Sequence, residues 1–113
     1  MSQYKELTTF VSSNLRDLKQ GNPELLQGFA ALSSAASKGG VLDEKTKELL
    51  ALAIGIAVRC DDCIAFHTKA CIRLGMTMEE LQELIGVAVM MGGGPSLMYA
   101  SHAIAAFKEF SEG

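Results

Sequence analysis

The chain has 113 residues, 49% hydrophobic and 20% charged, with ten Lys and Arg against thirteen Asp and Glu and a net charge of −3. One domain fits that length, and the acidic balance, the lack of a basic run and the 6% aromatic content argue against nucleic-acid binding. No apolar run approaches the ~18 residues that span a bilayer, and MSQYKELTTF lacks the basic-then-apolar order of an export signal, so the sequence reads as a protein of the reducing cytoplasm with no membrane contact.

The periodicity is helical from end to end. Tyr4, Leu7, Phe10, Val11, Leu15 and Leu18 form a three- and four-residue stripe over 3–19. Asn22-Pro23 then breaks the chain, and Asn22 can cap a second helix with Pro23 in its first turn. That helix runs through Leu25, Leu26, Phe29 and Leu32 and is expected to end at Gly39-Gly40. Asp43 caps a third, containing Leu49, Leu50, Leu52, Ala53, Ile54 and Ile56. Apolar nearly all round, it is expected to be central and buried. A fourth covers roughly 60–74 and stops at Gly75. Thr77-x-x-Glu80 reads as a capping box opening a fifth, with Leu81, Leu84, Ile85 and Ala88 inward. Gly92-Gly93-Gly94-Pro95 interrupts it, and Pro95 opens a last helix through Leu97, Met98, Ile104, Phe107 and Phe110. With no strand-like alternation, the expected fold is all-α: a single domain, 1–113, of about six helices.

The mean hydropathy is +0.22, high for a small monomer, because a chain this size has little interior in which to place apolar residues. Part of the apolar surface is expected to be buried between subunits of a homo-oligomer. The competing explanation is that many of these residues are alanine.

The chemistry concentrates in Arg59-Cys-Asp-Asp-Cys-Ile-Ala-Phe-His-Thr-Lys-Ala-Cys71, which holds all three cysteines and one of the two histidines. Zinc could use Cys60, Cys63, His67 and Cys71. On one helix, however, Cys60 and Cys71 sit roughly 16 Å apart, whereas zinc draws its ligands to about 2.0–2.3 Å. A dithiol fits better. Cys60 and Cys63 are three apart, and Cys63 and His67 four apart, neighbours on one helical face. In the first turn of a helix, the dipole and free N–H groups favour a thiolate, and His67 can take the Cys63 proton. Cys71 reads as a small buried hydrophobe. Glu48 can orient His67: in an antiparallel hairpin turning between Ala57 and Val58, the two lie abreast. A solvated Glu48 beside Lys45 and Lys47 explains that residue as simply.

The run Glu48-x11-Cys60-x2-Cys63-x3-His67 resembles the signature of the AhpD-like (alkyl hydroperoxidase D-like) branch of the carboxymuconolactone decarboxylase family. The likeness covers roughly 24–108 and is strongest over 44–85. It implies a helical bundle assembled as trimers or hexamers, and thiol peroxidase or disulfide reductase activity without a bound cofactor or metal. By resemblance, Glu48 and His67 form a proton relay activating Cys63. Cys63 attacks a peroxide, and Cys60 resolves the resulting sulfenic acid to a disulfide. An external dithiol, such as a lipoylated protein or a peroxiredoxin, then reduces the disulfide. Members often carry His or Tyr just before the second Cys; here the residue is Asp62, preceded by Asp61, and acids beside a thiol oppose its ionisation while also suiting a helix start. Two alternatives come from other classes. One is a decarboxylase-type lyase, for which Arg59, Arg73 and His102 are the candidate carboxylate-binding residues. The other is a non-catalytic, redox-sensing helical oligomer. On the Ala-rich last helix, His102 also reads as a core or subunit-contact residue.

Overall fold

The computed structural model describes residues 3–112. Six helices follow in order: α1 Gln3–Gly21, α2 Pro23–Ser37, α3 Glu44–Ala57, α4 Asp61–Arg73, α5 Met78–Gly92 and α6 Gly94–Ser111. Among the described residues there is no strand, so the fold is the all-α one expected.

The helix starts follow from capping. Asn22 Oδ1 accepts from Leu25 N–H at 3.4 Å, with Pro23 opening α2, and Asp43 Oδ1 accepts from Thr46 N–H at 2.8 Å at the start of α3. At α5, Thr77 Oγ1 accepts from Glu80 N–H at 3.1 Å while Glu80 Oε1 accepts from Thr77 N–H at 2.9 Å, the reciprocal capping box. Each cap satisfies a helix-end donor that would otherwise go unpaired.

Four helices make the core. α3 packs on α4 and α5, and α6 closes the group by packing on α3, α4 and α5. Leu52, Ile56, Ile64 and Leu81 are fully buried, each worth about 1.5–3 kcal/mol of apolar transfer. The α6 face they meet is built from Ala100, Ala103 and Ala106, small enough to let the helix axes approach. At the α5–α6 turn, Gly92 lies so close to the Ser96 side chain that a β-carbon there would force Ser96 to shift. α1 lies across α4 and α6, buries Tyr4, and is tied down by Glu109 Oε1, which accepts from the N–H groups of Tyr4 and Lys5 at 2.8 and 3.1 Å.

Two expectations need correction. α3 is central, but it is not buried all round: Leu50 and Ile54 are 49% and 61% exposed, and with Val87 and Met91 of α5 they border a shallow apolar cavity of about 170 Å³. The helix has core neighbours on only part of its circumference, and hydropathy alone does not reveal which apolar face goes uncovered. α2 ends at Ser37, before Gly39-Gly40, with Lys38 N–H bonded to Ser34 O. It buries no residue, touches only α1 and α3, and leaves Leu25, Phe29 and Leu32 exposed. With Leu15 and Leu18 of α1, Leu25 and Phe29 help line an apolar cavity of about 270 Å³. No described helix is long and apolar enough to cross a membrane.

Candidate active site

The site begins with the turn that joins α3 to α4. Arg59 N–H bonds to Ile56 O at 3.1 Å and Cys60 N–H to Gly55 O at 3.0 Å. This pair of bonds is the Schellman closure of a helix C-terminus, and it requires a left-handed residue one position after the cap. That residue is Arg59, at φ 61°. The reversal folds α4 back along α3, and Gly55 permits the approach: a β-carbon there would stand 3.2 Å from Cys63 Cβ.

The turn delivers Cys60 as the N-cap of α4. Its Sγ accepts from Cys63 N–H at 3.2 Å, and the two half-buried cysteines are joined in a disulfide with their Cα atoms 5.2 Å apart. The sequence places both sulfurs inside the first turn; in the structure, Cys60 caps the turn from outside. Both still lie at the positive end of the helix dipole, where a thiolate is favoured.

One turn beyond Cys63, His67 Nδ1 lies 2.7 Å from Glu48 Oε2. The hairpin brings these residues abreast as its geometry requires. The Glu48 side chain is only 14% exposed, and the two lysines that could have held it in solvent are engaged elsewhere. Lys45 Nζ donates to Glu80 Oε2 at 3.0 Å and Lys47 Nζ to Lys38 O at 2.6 Å. An ionised Glu48 places the ring proton on Nδ1 and leaves Nε2 as the basic nitrogen. The pair opens onto a cavity of about 180 Å³ that Ser33, Ala36 and Ser37 of α2 cover.

Cys71 is fully buried, and its thiol is pushed up to about 12, first by burial and then by the nearby charges of Glu48 and Glu80. It is the small core residue its spacing suggested. Among the described residues, no three His, Cys, Asp or Glu side chains gather as a metal site would require.

Sequence reasoning missed one pair. His102 Nδ1 lies 2.6 Å from Asp61 Oδ1, joining α6 to the residue that follows Cys60. The Tyr99 ring stands 4.7 Å from the imidazole and the Tyr4 ring 6.4 Å, centroid to centroid. Burial raises the Tyr4 hydroxyl pKa, and the charges of Asp61 and Glu109 add to the shift. The one available signal was Tyr99 three residues before His102, on the same face of a helix. The candidate carboxylate-binding residues take separate roles: Arg73 lies 4.0 Å from Glu44, His102 holds Asp61, and Arg59 forms no ion pair among the described residues.

The model of the carboxymuconolactone decarboxylase family matches residues 23–106. A crystal structure of a member of that family from Legionella pneumophila superposes with a TM-score of 0.96 at 47% identity, covering 98% of this chain and 99% of that one. A second member, from Thermotoga maritima, whose description suggests involvement in an antioxidative response, superposes at 0.83 with 30% identity, covering 93% and 90%. The 4-carboxymuconolactone decarboxylase of Acinetobacter baylyi is 32% identical over 89 residues, 79% of this chain and 65% of that protein.

Proposed function

The chain belongs to the carboxymuconolactone decarboxylase family, and from that premise we propose that it is a cytoplasmic thiol-dependent peroxidase or disulfide oxidoreductase. The observation that carries this reading is the Cys60–Cys63 disulfide at the start of α4, one turn from a histidine held by a carboxylate at 2.7 Å. His67 Nε2 takes the Cys63 proton while Glu48 stabilises the imidazolium that forms. The Cys63 thiolate attacks the terminal peroxide oxygen. The O–O bond breaks, an alkoxide or hydroxide leaves, and Cys63 becomes a sulfenic acid. The Cys60 thiolate then attacks that sulfur, the S–O bond breaks, and hydroxide departs as the disulfide forms. An external dithiol, a lipoylated protein or a peroxiredoxin partner, returns the pair to thiols and is itself oxidised. The antioxidative description of the Thermotoga relative agrees with this chemistry. The exposed apolar faces around Phe29 and Ile54 support assembly into trimers or hexamers.

The Acinetobacter relative favours a second reading, lactone decarboxylation, which would not depend on the dithiol. Counting free thiols by mass after alkylation, before and after one equivalent of peroxide, separates the two. Loss of two thiols with a Cys60–Cys63 linkage is the expected result. Three free thiols after peroxide would overturn the redox reading, as would lactone turnover that survives Cys63→Ser with no peroxide consumption.

A further inference from the structure

Of the two sulfurs, Cys60 has the harder electrostatic position. Each cysteine has an acid beside it in sequence, Asp61 after Cys60 and Asp62 before Cys63, and a carboxylate beside a thiol opposes its ionisation, but only Cys63 has the Glu48–His67 pair one turn away. In the dithiol reading, on which this inference rests, Cys60 is a thiolate twice per cycle. It is the nucleophile when the disulfide forms, and it is the leaving group when a reductant attacks Cys63.

Asp61 has neighbours on two elements: Tyr4 of α1, and His102 of α6 with Tyr99 beside it. Of these, His102 is bonded to an acid of the Cys-Asp-Asp run, with Nδ1 2.6 Å from Asp61 Oδ1. The Tyr99 ring packs on it, with the Tyr4 ring farther off, and both partners are more than half shielded, with side chains 37% and 40% exposed. The contact holds the Asp61 carboxylate against α6.

We infer that His102 is a positioning residue for Cys60: through its bond to Asp61 it draws that carboxylate toward α6 and takes up part of the field that would otherwise oppose the Cys60 thiolate, so that each cysteine of the pair has its own carboxylate–imidazole partner, Glu48–His67 for Cys63 and Asp61–His102 for Cys60. The exchange of bonds is the one already described, and His102 adds no co-reactant to it. Of the two acids in the Cys-Asp-Asp-Cys run, Asp61, next to Cys60, is the one engaged from α6.

Cys60 can be followed alone in a Cys63→Ser background, where Cys71 is buried. The measurement is its rate of alkylation by iodoacetamide, a neutral reagent, as a function of pH. Adding His102→Gln should move the Cys60 profile up by about one pH unit, about tenfold slower at neutral pH. Asp61→Asn alone should move it down. Combining the two should bring it back close to the parent, because neither the carboxylate nor its partner remains. If His102→Gln lowers the melting temperature while the Cys60 profile stays put, or if Asp61→Asn fails to reverse the shift, His102 is only a strap between α6 and α4 and the inference falls. Asp61→Asn serves alone if His102→Gln does not fold, since an unmoved profile there overturns the inference too. Wild-type peroxide consumption, measured separately, tests the dithiol reading: its absence would sink that reading even where the Cys60 profile responds to His102.

Discussion

Helix α4 is reached and left through the same hydrogen-bonded reversal. On the way in, Cys60 N–H bonds to Gly55 O and Arg59 N–H to Ile56 O; on the way out, Met76 N–H bonds to Cys71 O at 2.9 Å and Gly75 N–H to Ile72 O at 2.9 Å. Each needs one left-handed residue. At the exit it is Gly75, at φ 95°, for which that conformation is free; at the entrance it is Arg59, at φ 61°, where a β-carbon costs roughly 1 kcal/mol or more. The exit is built as local preference dictates. The entrance departs from it, one residue before the disulfide. A costly conformation kept beside the disulfide makes this turn the place to test for a constraint other than stability.

Substitutions at the two ends should separate stability from chemistry. Gly55→Val drives methyl groups into Cys63, since even a single β-carbon meets it at 3.2 Å. It should cost about 2–3 kcal/mol and slow dithiol turnover about a hundredfold by displacing the sulfur, read from thermal melts and peroxide kinetics together. Gly75→Val forces a branched side chain into left-handed backbone and should cost about 1–3 kcal/mol while the thiol alkylation profile stays unchanged. A matching loss of thiol reactivity would erase the distinction between the ends. Glu48→Gln keeps the shape of the relay but removes its charge, and should slow peroxide turnover about tenfold with little change in melting temperature. Wild-type rates would mean that the 2.7 Å contact with His67 is structural. Arg59→Gly relieves the entrance and should leave stability level or raise it by up to ~1 kcal/mol; a clear destabilisation would show that the arginine side chain, rather than the turn, was stabilising.

The smallest effect is one of pH. Glu80 is held below the usual carboxylate range, first by the Thr77 backbone N–H and then by Lys45. A group whose pKa is depressed on folding stabilises above its unfolded value, and that contribution is lost as pH falls through the folded value. Acidification below about pH 4 should therefore loosen the α4–α5 connection, and Glu80→Gln should flatten that part of the stability profile.

Local signals carried much of this into the sequence. Asn22, Asp43 and Thr77 announced their helices through the caps they form, and the three- and four-residue spacing of Cys60, Cys63 and His67 put them on one side of α4. Glu48 was reachable too, because two helices joined by a tight turn fix which residues lie abreast. The Asp61–His102 pair was not: the two are 41 residues apart, and only the packing of α6 on α4 brings them together. Nor could hydropathy say that Leu50 and Ile54 would be left uncovered on a helix that is apolar nearly all round. The Arg59 turn carries no glycine or asparagine to mark it.

Cys71 gives the molecule a built-in stopwatch. Its thiol is sealed in the core, where burial pushes it up to about 12, so a labelling reagent reaches it only when the bundle opens. In one sample, the two sulfurs at the start of α4 report oxidation while the third, about two turns beyond Cys63 on the same helix, reports how often the whole fold comes apart.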